Sequence, residues 1–271
     1  MEIKILILEE RSIKFILSGV IPAFANALRR SMIAEVPTLA IDEVNIYENT
    51  SILFDEILAL RIGLIPLKSD LDSYRFPNEC ECENGCPQCQ VSLTLSAEGP
   101  RIVYSGDLQS SDPKVVPADP NIPIVELKDY PVKNGIKLPP QKIVLEAIAR
   151  LGQGKDHAKW QPTVACGYKN LPKITISEKC DACGACVNEC PRKILTLNGE
   201  LKVINEVECS LCKLCEEACE FGAIKVEEDK NSYVFSLETD GSLTITELVT
   251  RAVDILKQKA KELNQCLKAI E

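Results

Sequence analysis

The chain lacks the features that mark membrane proteins and general nucleic-acid-binding proteins. None of its apolar runs is long enough to cross a bilayer, and the most apolar stretch, Ile57 to Leu67, is interrupted by Arg61. A net charge of −9 argues against a broad basic surface, so we expect little direct contact with nucleic acid. The N-terminus has no signal-peptide pattern, and the 14 cysteines therefore indicate metal sites in a reducing cytoplasm rather than a disulfide framework.

Residues for nucleophilic or acid–base catalysis are also scarce. His157 is the only histidine and Trp160 the only tryptophan, and no nucleophile stands beside the histidine. A lone histidine gives no catalytic triad, so we interpret this segment as a packed turn. Two isolated cysteines, Cys166 and Cys266, are interpreted as small apolar residues of the interior.

What the chain does contain is a dense group of cysteines. Two runs, CDACGACVNECP from Cys180 and CSLCKLCEEAC from Cys209, share the spacing C-x2-C-x2-C-x3-C. This spacing is typical of proteins that hold two [4Fe-4S] clusters, in which the fourth cysteine of each run ligates the other cluster. Zinc or disulfides are the alternatives, and two complete runs in tandem make both less favourable. The crossed pattern predicts one cluster on Cys180, Cys183, Cys186 and Cys219, and the other on Cys209, Cys212, Cys215 and Cys190.

A second cysteine site precedes these runs in the loop ECECENGCPQCQ. Gly85 and Pro87 help the loop to fold back on itself. Four thiolates in a short loop suit a structural, tetrahedral Zn²⁺ ion, and a third iron–sulfur cluster is the alternative. The predicted zinc ligands are Cys80, Cys82, Cys86 and Cys89.

Hydrophobic periodicity predicts a mixed α+β chain that begins with strands. Residues 2–8 and 12–18 alternate between apolar and polar side chains, which indicates a β-hairpin. Pro22 then opens an amphipathic helix, and Pro37 ends it near Glu35.

The middle of the chain is predicted to be rich in strands. Alternating segments recur between residues 39 and 165, and a proline-rich stretch over 112–123 indicates an ordered loop. Residues 141–151 are predicted to form a short helix that ends at Gly152.

A long amphipathic helix is predicted at the C-terminal end. Thr244 and Glu247 form a capping box at its start. An apolar stripe of this length is compatible with a helix that packs on its own domain and with one that also meets a partner, and periodicity leaves both open. The stripe comprises Ile245, Leu248, Val249, Ala252, Val253, Leu256, Ala260, Leu263 and Leu267.

Four segments resemble the D-type subunits of archaeal DNA-directed RNA polymerase, a family that includes the third-largest subunit of eukaryotic RNA polymerase II and, more distantly, the bacterial alpha subunit. They follow the family's order and span most of the chain outside the two cysteine runs. One departure is Leu60, where relatives often have histidine, and another is Glu220, where a second ferredoxin-type proline is usual. The segments are FANALRRSMIAEVPTLAIDEV (24–44), ENTSILFDEILALRIGLIPL (48–67), QKIVLEAIARLGQGKDHAKWQPT (141–163) and FSLETDGSLTITELV (235–249).

The resemblance implies a discontinuous, alpha-subunit-like dimerisation domain over 1–38 and 229–271. It implies an insert domain over 39–171, which carries the zinc loop at 80–89, and an inserted ferredoxin-like domain over 172–228. It also implies a role in assembly, in which the chain pairs with subunit L, is joined by subunits N and P, and recruits the large catalytic subunits. The amphipathic helices are what such a pairing surface needs.

The resemblance implies an enzyme complex, but this chain lacks the aspartates of a polymerase active site. No Asp-x-Asp-Gly-Asp run occurs, and Asp55 and Glu56, if neighbours on a strand, point to opposite faces. We therefore expect no phosphoryl-transfer chemistry on this chain. Arg29 and Arg30 are either part of a solvated helix face or a contact to a large subunit.

Two other functions compete with assembly. The cysteine runs alone are compatible with an iron–sulfur electron carrier, although no flavin or dinucleotide motif accompanies them. A redox sensor that regulates polymerase assembly is the other alternative. Cluster potentials depend on hydrogen bonds and solvent exposure, so the sequence does not separate sensing from structural support.

Overall fold

The computed structural model describes residues 1–82, 85–129 and 139–269. It has the predicted mixed α+β architecture, rich in strands. In chain order the elements are β1 (Glu2–Leu8), β2 (Ser12–Ser18), α1 (Pro22–Ala34), β3 (Pro37–Asn49), α2 (Asp55–Gly63), β4 (Gln90–Glu98), β5 (Arg101–Tyr104), β6 (Gln109–Ser110), β7 (Pro123–Leu127), β8 (Lys142–Gln153), β9 (Thr163–Ile176), α3 (Ala185–Glu189), β10 (Leu195–Asn198), β11 (Glu200–Val203), α4 (Leu214–Glu217), β12 (Ile224–Thr239) and α5 (Ile245–Lys268).

The chain divides into two compact units. The first unit comprises Met1–Leu8, Ile13–Ala27 and Gly167–Ser236, and the second comprises Glu9–Ser12, Leu28–Cys166 and Leu237–Glu271. Both units are discontinuous in sequence, and both cysteine runs lie in the first.

A four-stranded sheet with the order β1-β2-β12-β9 forms the frame of the first unit. The predicted hairpin is confirmed, since β1 and β2 pair antiparallel with Ile5 opposite Phe15. Phe15 stacks on Phe235 with ring centroids 5.0 Å apart, and Tyr168 packs against Phe235 at 5.1 Å. These aromatic contacts join β2, β12 and β9, with Phe15 and Phe235 buried and Tyr168 half-buried.

The second unit is built on the sheet β3-β8-β4-β6, with β5 and β7 forming a separate pair. Its core contains alternate residues of β3, β4 and β8, among them Leu39, Leu93 and Leu145. Helix α2 covers this core with Leu58 and Ile62, which are fully buried. The proline-rich stretch over 112–123 is the ordered loop that the sequence predicts, since Val115 is buried within it.

Two local predictions were wrong. Residues 141–151 form the strand β8 rather than a helix, because this segment pairs antiparallel along its length with both β3 and β4. Alternate side chains are buried as a strand requires, so the tertiary pairing overrides the helix preference of its Leu, Glu, Ala and Arg residues. Asp55 and Glu56 lie in the first turn of α2 rather than on a strand, where acidic side chains favour the helix dipole.

Both predicted amphipathic helices are confirmed. Helix α1 begins at Pro22 and ends at Ala34, one residue before the predicted end. Helix α5 begins after Thr244, whose side chain accepts a hydrogen bond from the backbone N–H of Glu247. The Ser31 hydroxyl donates to the carbonyl of Ala252 at 3.1 Å, which joins the C-terminal part of α1 to α5.

Candidate metal centres and dimerisation surface

The four-cysteine loop brings its thiols into one compact group. The ligand atoms of Cys80, Cys82, Cys86 and Cys89 all lie within 4.8 Å of one another. Neighbouring sulfurs are 3.5 Å apart in the pairs Cys80–Cys86 and Cys82–Cys89, and 3.9 Å apart between Cys86 and Cys89. A tetrahedron of sulfurs around Zn²⁺, with Zn–S bonds of about 2.3 Å, has edges of about 3.8 Å. The residues therefore fit a single four-coordinate ion.

Local backbone geometry forms this group. The carbonyl of Cys86 accepts hydrogen bonds from the N–H groups of Cys89 and Gln90, at 3.0 and 3.1 Å, so the chain turns back at Pro87. The N–H of Cys86 in turn donates to the sulfur of Cys89 at 3.3 Å. Gly85 has a φ of +88°, a left-handed conformation that side chains rarely adopt.

The thiols of this loop influence one another's ionisation. A hydrogen bond from the backbone N–H of Cys82, with others from neighbouring thiols, lowers the pKa of Cys80 to about 7. Hydrogen bonds to the thiols of Cys80 and Cys89 raise the pKa of Cys82 to about 12. One thiolate therefore forms easily and the next only with difficulty, and a bound cation would offset the repulsion between them.

The first predicted iron–sulfur set also converges. Cys180, Cys183, Cys186 and Cys219 line one narrow cleft, together with apolar side chains from β10, β11 and β12. Burial raises the pKa of Cys186, and the neighbouring thiolates of Cys180, Cys183 and Cys219 add to this effect. These four are the residues that crossed ligation requires, and the apolar side chains beside them suit an iron–sulfur cluster.

The second predicted set is grouped in the same way. Burial raises the pKa of Cys215 to about 11, and the thiolates of Cys190, Cys209 and Cys212 contribute further. Cys209 and Cys215 are buried in a small apolar core that they share with Ile194 and Ile224. Cys212 is exposed, as is Cys183 in the first set, so each set has one ligand at the surface.

The two runs are structural repeats, and matching residues are separated along the sequence by the same number of positions as Cys180 and Cys209. Helix α3 follows the second cysteine of the first run, and α4 occupies the same place in the second run. Left-handed φ angles recur at matching positions of the two runs. The matching pairs are Ala182 with Leu211, Gly184 with Lys213, and Lys193 with Gly222.

Backbone N–H groups reach the sulfurs in both sets. The N–H of Ala223 donates to the sulfur of Cys219 at 3.2 Å, and that of Leu211 donates to Cys209 at 3.4 Å. The bond from Ala223 is the largest cause of the lowered pKa of Cys219. Such bonds stabilise thiolates, which are the form that ligates iron.

Helix α5 has two unlike halves. Ile245, Leu248 and Ala252 are buried within the second unit. Beyond residue 256 every described residue of the helix is exposed, and Leu263 and Leu267 have 63% and 55% of their surface accessible. The first half of the helix therefore packs on its own chain, as one interpretation of the apolar stripe expects. The second half leaves its apolar residues uncovered, and its contact with a partner stays a prediction.

Comparison with known proteins decides the family. Residues 14–260 match the RNA polymerase Rpb3/Rpb11 dimerisation domain. The chain belongs to this family. It is 56% identical over 268 residues to the DNA-directed RNA polymerase subunit Rpo3 of Methanosarcina mazei, and 55% identical over 268 residues to that of Methanosarcina acetivorans, with 97% of each chain covered in both cases. The Rpo3 subunit of Archaeoglobus fulgidus is 44% identical over 272 residues, which cover 100% of this chain and 99% of the relative.

This membership confirms the resemblance seen in the sequence, and a dimerisation domain of the Rpb3/Rpb11 family implies contact with another polymerase subunit. The match ends at residue 260, so it includes the first part of α5 but not Leu263 or Leu267. In the described residues of this family member, no helix is long and apolar enough to span a membrane.

His157 and Trp160 both make hydrogen bonds with nearby residues. The ring nitrogen Nδ1 of His157 accepts a hydrogen bond from the N–H of Lys159 at 3.1 Å, and the indole N–H of Trp160 donates to the carbonyl of Arg150 at 3.1 Å. The indole ring covers Gly152 so closely that a Cβ atom there would lie 2.3 Å from it. Trp160 is therefore packed as predicted, whereas His157 is exposed at the surface of the turn.

The isolated cysteines and the arginine pair differ in their exposure. Burial raises the pKa of Cys166 to about 11, as expected for a packed thiol, while nearby Arg29 acts in the opposite direction. Cys266 is exposed on α5, so its assignment to the interior was wrong. Arg30 is exposed and Arg29 is half-buried.

One surface feature was missed from the sequence. Ile52 and Phe54 have 80% and 78% of their surface accessible, and Leu60 and Leu64 of the neighbouring helical segment are also exposed. The signal was present, because α2 carries apolar residues on all sides while Leu58 and Ile62 alone fill the core.

Proposed function

We propose that this chain is a non-catalytic assembly subunit of archaeal DNA-directed RNA polymerase. The observation that carries the proposal is the similarity to Rpo3 subunits along nearly the whole length of the chain. The chain pairs with the smaller subunit L, and subunits N and P and the large catalytic subunits assemble on this pair. The absence of an Asp-x-Asp-Gly-Asp run supports a role outside the phosphoryl-transfer chemistry.

The pairing surface is the uncovered half of α5. Its exposed apolar residues, Leu263 and Leu267, continue the stripe that is buried at Leu248 and Ala252. Apolar residues at helical spacing gain free energy when a partner helix removes them from water. In this proposal the dimerisation domain comprises 1–38 and 229–271, and the insert domain comprises 39–171.

The remaining segment, 172–228, is a ferredoxin-like domain that holds two [4Fe-4S] clusters. Cys180, Cys183, Cys186 and Cys219 ligate one, and Cys190, Cys209, Cys212 and Cys215 ligate the other. The cleft lined by the first set, the repeat of left-handed positions and the N–H bonds to sulfur support this assignment. The clusters stabilise the fold of the segment, because metal binding and folding are linked when the unfolded chain has no preformed site.

Cys80, Cys82, Cys86 and Cys89 hold one structural Zn²⁺. The sulfur separations support this ion, since they are close to the edges of a tetrahedron about one metal. All four coordination positions are filled by thiolates, which leaves no open position for a substrate.

Metal analysis of anaerobically purified protein tests the two cysteine assignments separately. The parent chain should contain about one zinc and about eight iron atoms. Cys86→Ser should lose the zinc and retain the iron, whereas Cys212→Ser should lose about four iron atoms and retain the zinc. Cys166→Ser is the matched control and should change neither. Loss of iron from Cys86→Ser would show that the cysteines are divided wrongly.

Stepwise reconstitution tests the assembly role. The chain and subunit L should form a stable pair that adds no nucleotides to a primed template. Activity should appear only after the large subunits join. Nucleotide addition by the pair alone would contradict the non-catalytic assignment.

A further inference from the structure

Hydrogen bonds and an ion pair join the segment that precedes Cys209 to the four-stranded sheet of the first unit. The Lys169 ammonium group, on β9, donates a hydrogen bond to the carbonyl of Cys209 at 2.5 Å. Glu208, which precedes Cys209 in the sequence, forms an ion pair with Lys14 of β2. Glu206 accepts a hydrogen bond from the N–H of Ile174, also on β9.

These contacts are partly shielded from water. Lys169 is half-buried, and the Lys14 side chain is only 19% exposed. Burial lowers the pKa of Lys169, and the negative charge of Glu208 acts in the opposite direction. A charged donor in such surroundings makes a stronger hydrogen bond than one at an open surface.

The corresponding part of the first run is built differently. Cys180 matches Cys209 in the repeat, and the N–H group of each donates to the carbonyl three residues earlier, that of Ser177 or of Glu206, so the difference lies at the carbonyl side. Among the residues that the structure describes, no lysine donates a hydrogen bond to Cys180. The repeat is thus asymmetric at its first ligand, although its cysteine spacing and left-handed positions are shared.

We propose that Lys169 is a positioning residue for the cluster held by Cys190, Cys209, Cys212 and Cys215. The inference rests on the proposed cluster assignment. Lys169 fixes the peptide that carries the Cys209 thiolate and places a positive charge beside this cluster alone. Through Lys169 and Glu208 the second cluster is bound to β9 and β2, whereas the site of the first cluster meets the sheet through Ile224 of β12.

The test is iron release to a ferrous chelator from the anaerobic full-length chain, with Lys169→Met as the variant. Half of the iron should leave roughly tenfold faster or more than in the parent, because a buried charged hydrogen bond is lost, and the other half should leave at the parent rate. Lys169→Arg retains the charge and a donor and should restore most of the parent rate. Lys225→Met is the matched control, since it removes an exposed lysine of β12 that pairs with neighbouring Glu227.

A redox titration followed by electron paramagnetic resonance adds a readout that loosened packing would not mimic. Lys169→Met should lower the reduction potential of one cluster, because removal of a positive charge disfavours the more negative reduced state. Equal acceleration of all the iron, or no acceleration, would overturn the proposal. A parent chain without iron would overturn the cluster assignment itself, and the inference would fall with it.

Discussion

The two halves of α5 have the same sequence pattern and opposite surroundings. In the first half, Leu248 and Ala252 are completely buried, and Ser31 bonds to the helix backbone. In the second half, Leu263 and Leu267 continue the same apolar stripe with more than half of their surface accessible. The first half therefore stabilises the fold of this chain, and the second half is available to another chain. An apolar periodicity indicates that a helix face will be covered, but it does not indicate which chain covers that face.

The largest effect is expected from a charge in the buried half. Leu248→Asp should destabilise the chain by about 4 kcal/mol or more, because the variant loses a buried leucine and places an unpaired carboxylate in the core. Urea unfolding followed by circular dichroism measures this change. A variant as stable as the parent would mean that the first half does not pack on its own chain.

A charge in the exposed half should affect pairing and leave folding unchanged. Leu263→Asp should unfold within about 0.5 kcal/mol of the parent, as expected of an exposed position. Its affinity for subunit L should fall by about 2 kcal/mol, or roughly thirtyfold, measured by calorimetric titration. Gln265→Asp lies on the opposite face of the same turn and is the matched control. Equal losses in both variants would point to charge rather than to the apolar face.

The smallest effect is expected where the two halves meet. Lys259 forms an ion pair with Glu35 at 2.5 Å, and the lysine side chain is 57% exposed. Because solvent screens exposed ion pairs, Lys259→Met should change the free energy of unfolding by less than about 1 kcal/mol. The urea midpoint measures it. A change of several kcal/mol would mean that the buried region extends further along α5 than the structure places it.

Sequence reasoning succeeded where the signal was local. The hairpin, the Thr244 cap and the helix that begins at Pro22 each depend on a few neighbouring residues, and each was predicted. The spacing C-x2-C-x2-C-x3-C is equally local, and its assignment to two clusters stays a prediction.

The rest could not be predicted because it depends on distant partners. The segment 141–151 has helix-favouring residues, and only its pairing with β3 and β4 makes it a strand. The contact of Lys169 with Cys209 joins residues 40 positions apart, and no spacing rule links them. The exposure of Cys266 depends on how far along α5 the core of the second unit reaches.

Hydrogen exchange along α5, measured with and without subunit L, tests the assembly role most directly. In the free chain, amides of the first half should exchange slowly and those of residues 257–268 rapidly, because only the first half is packed. Binding of subunit L should protect residues 257–268 strongly and leave α2 unchanged. Protection confined to α2, with α5 exchanging as in the free chain, would contradict the account.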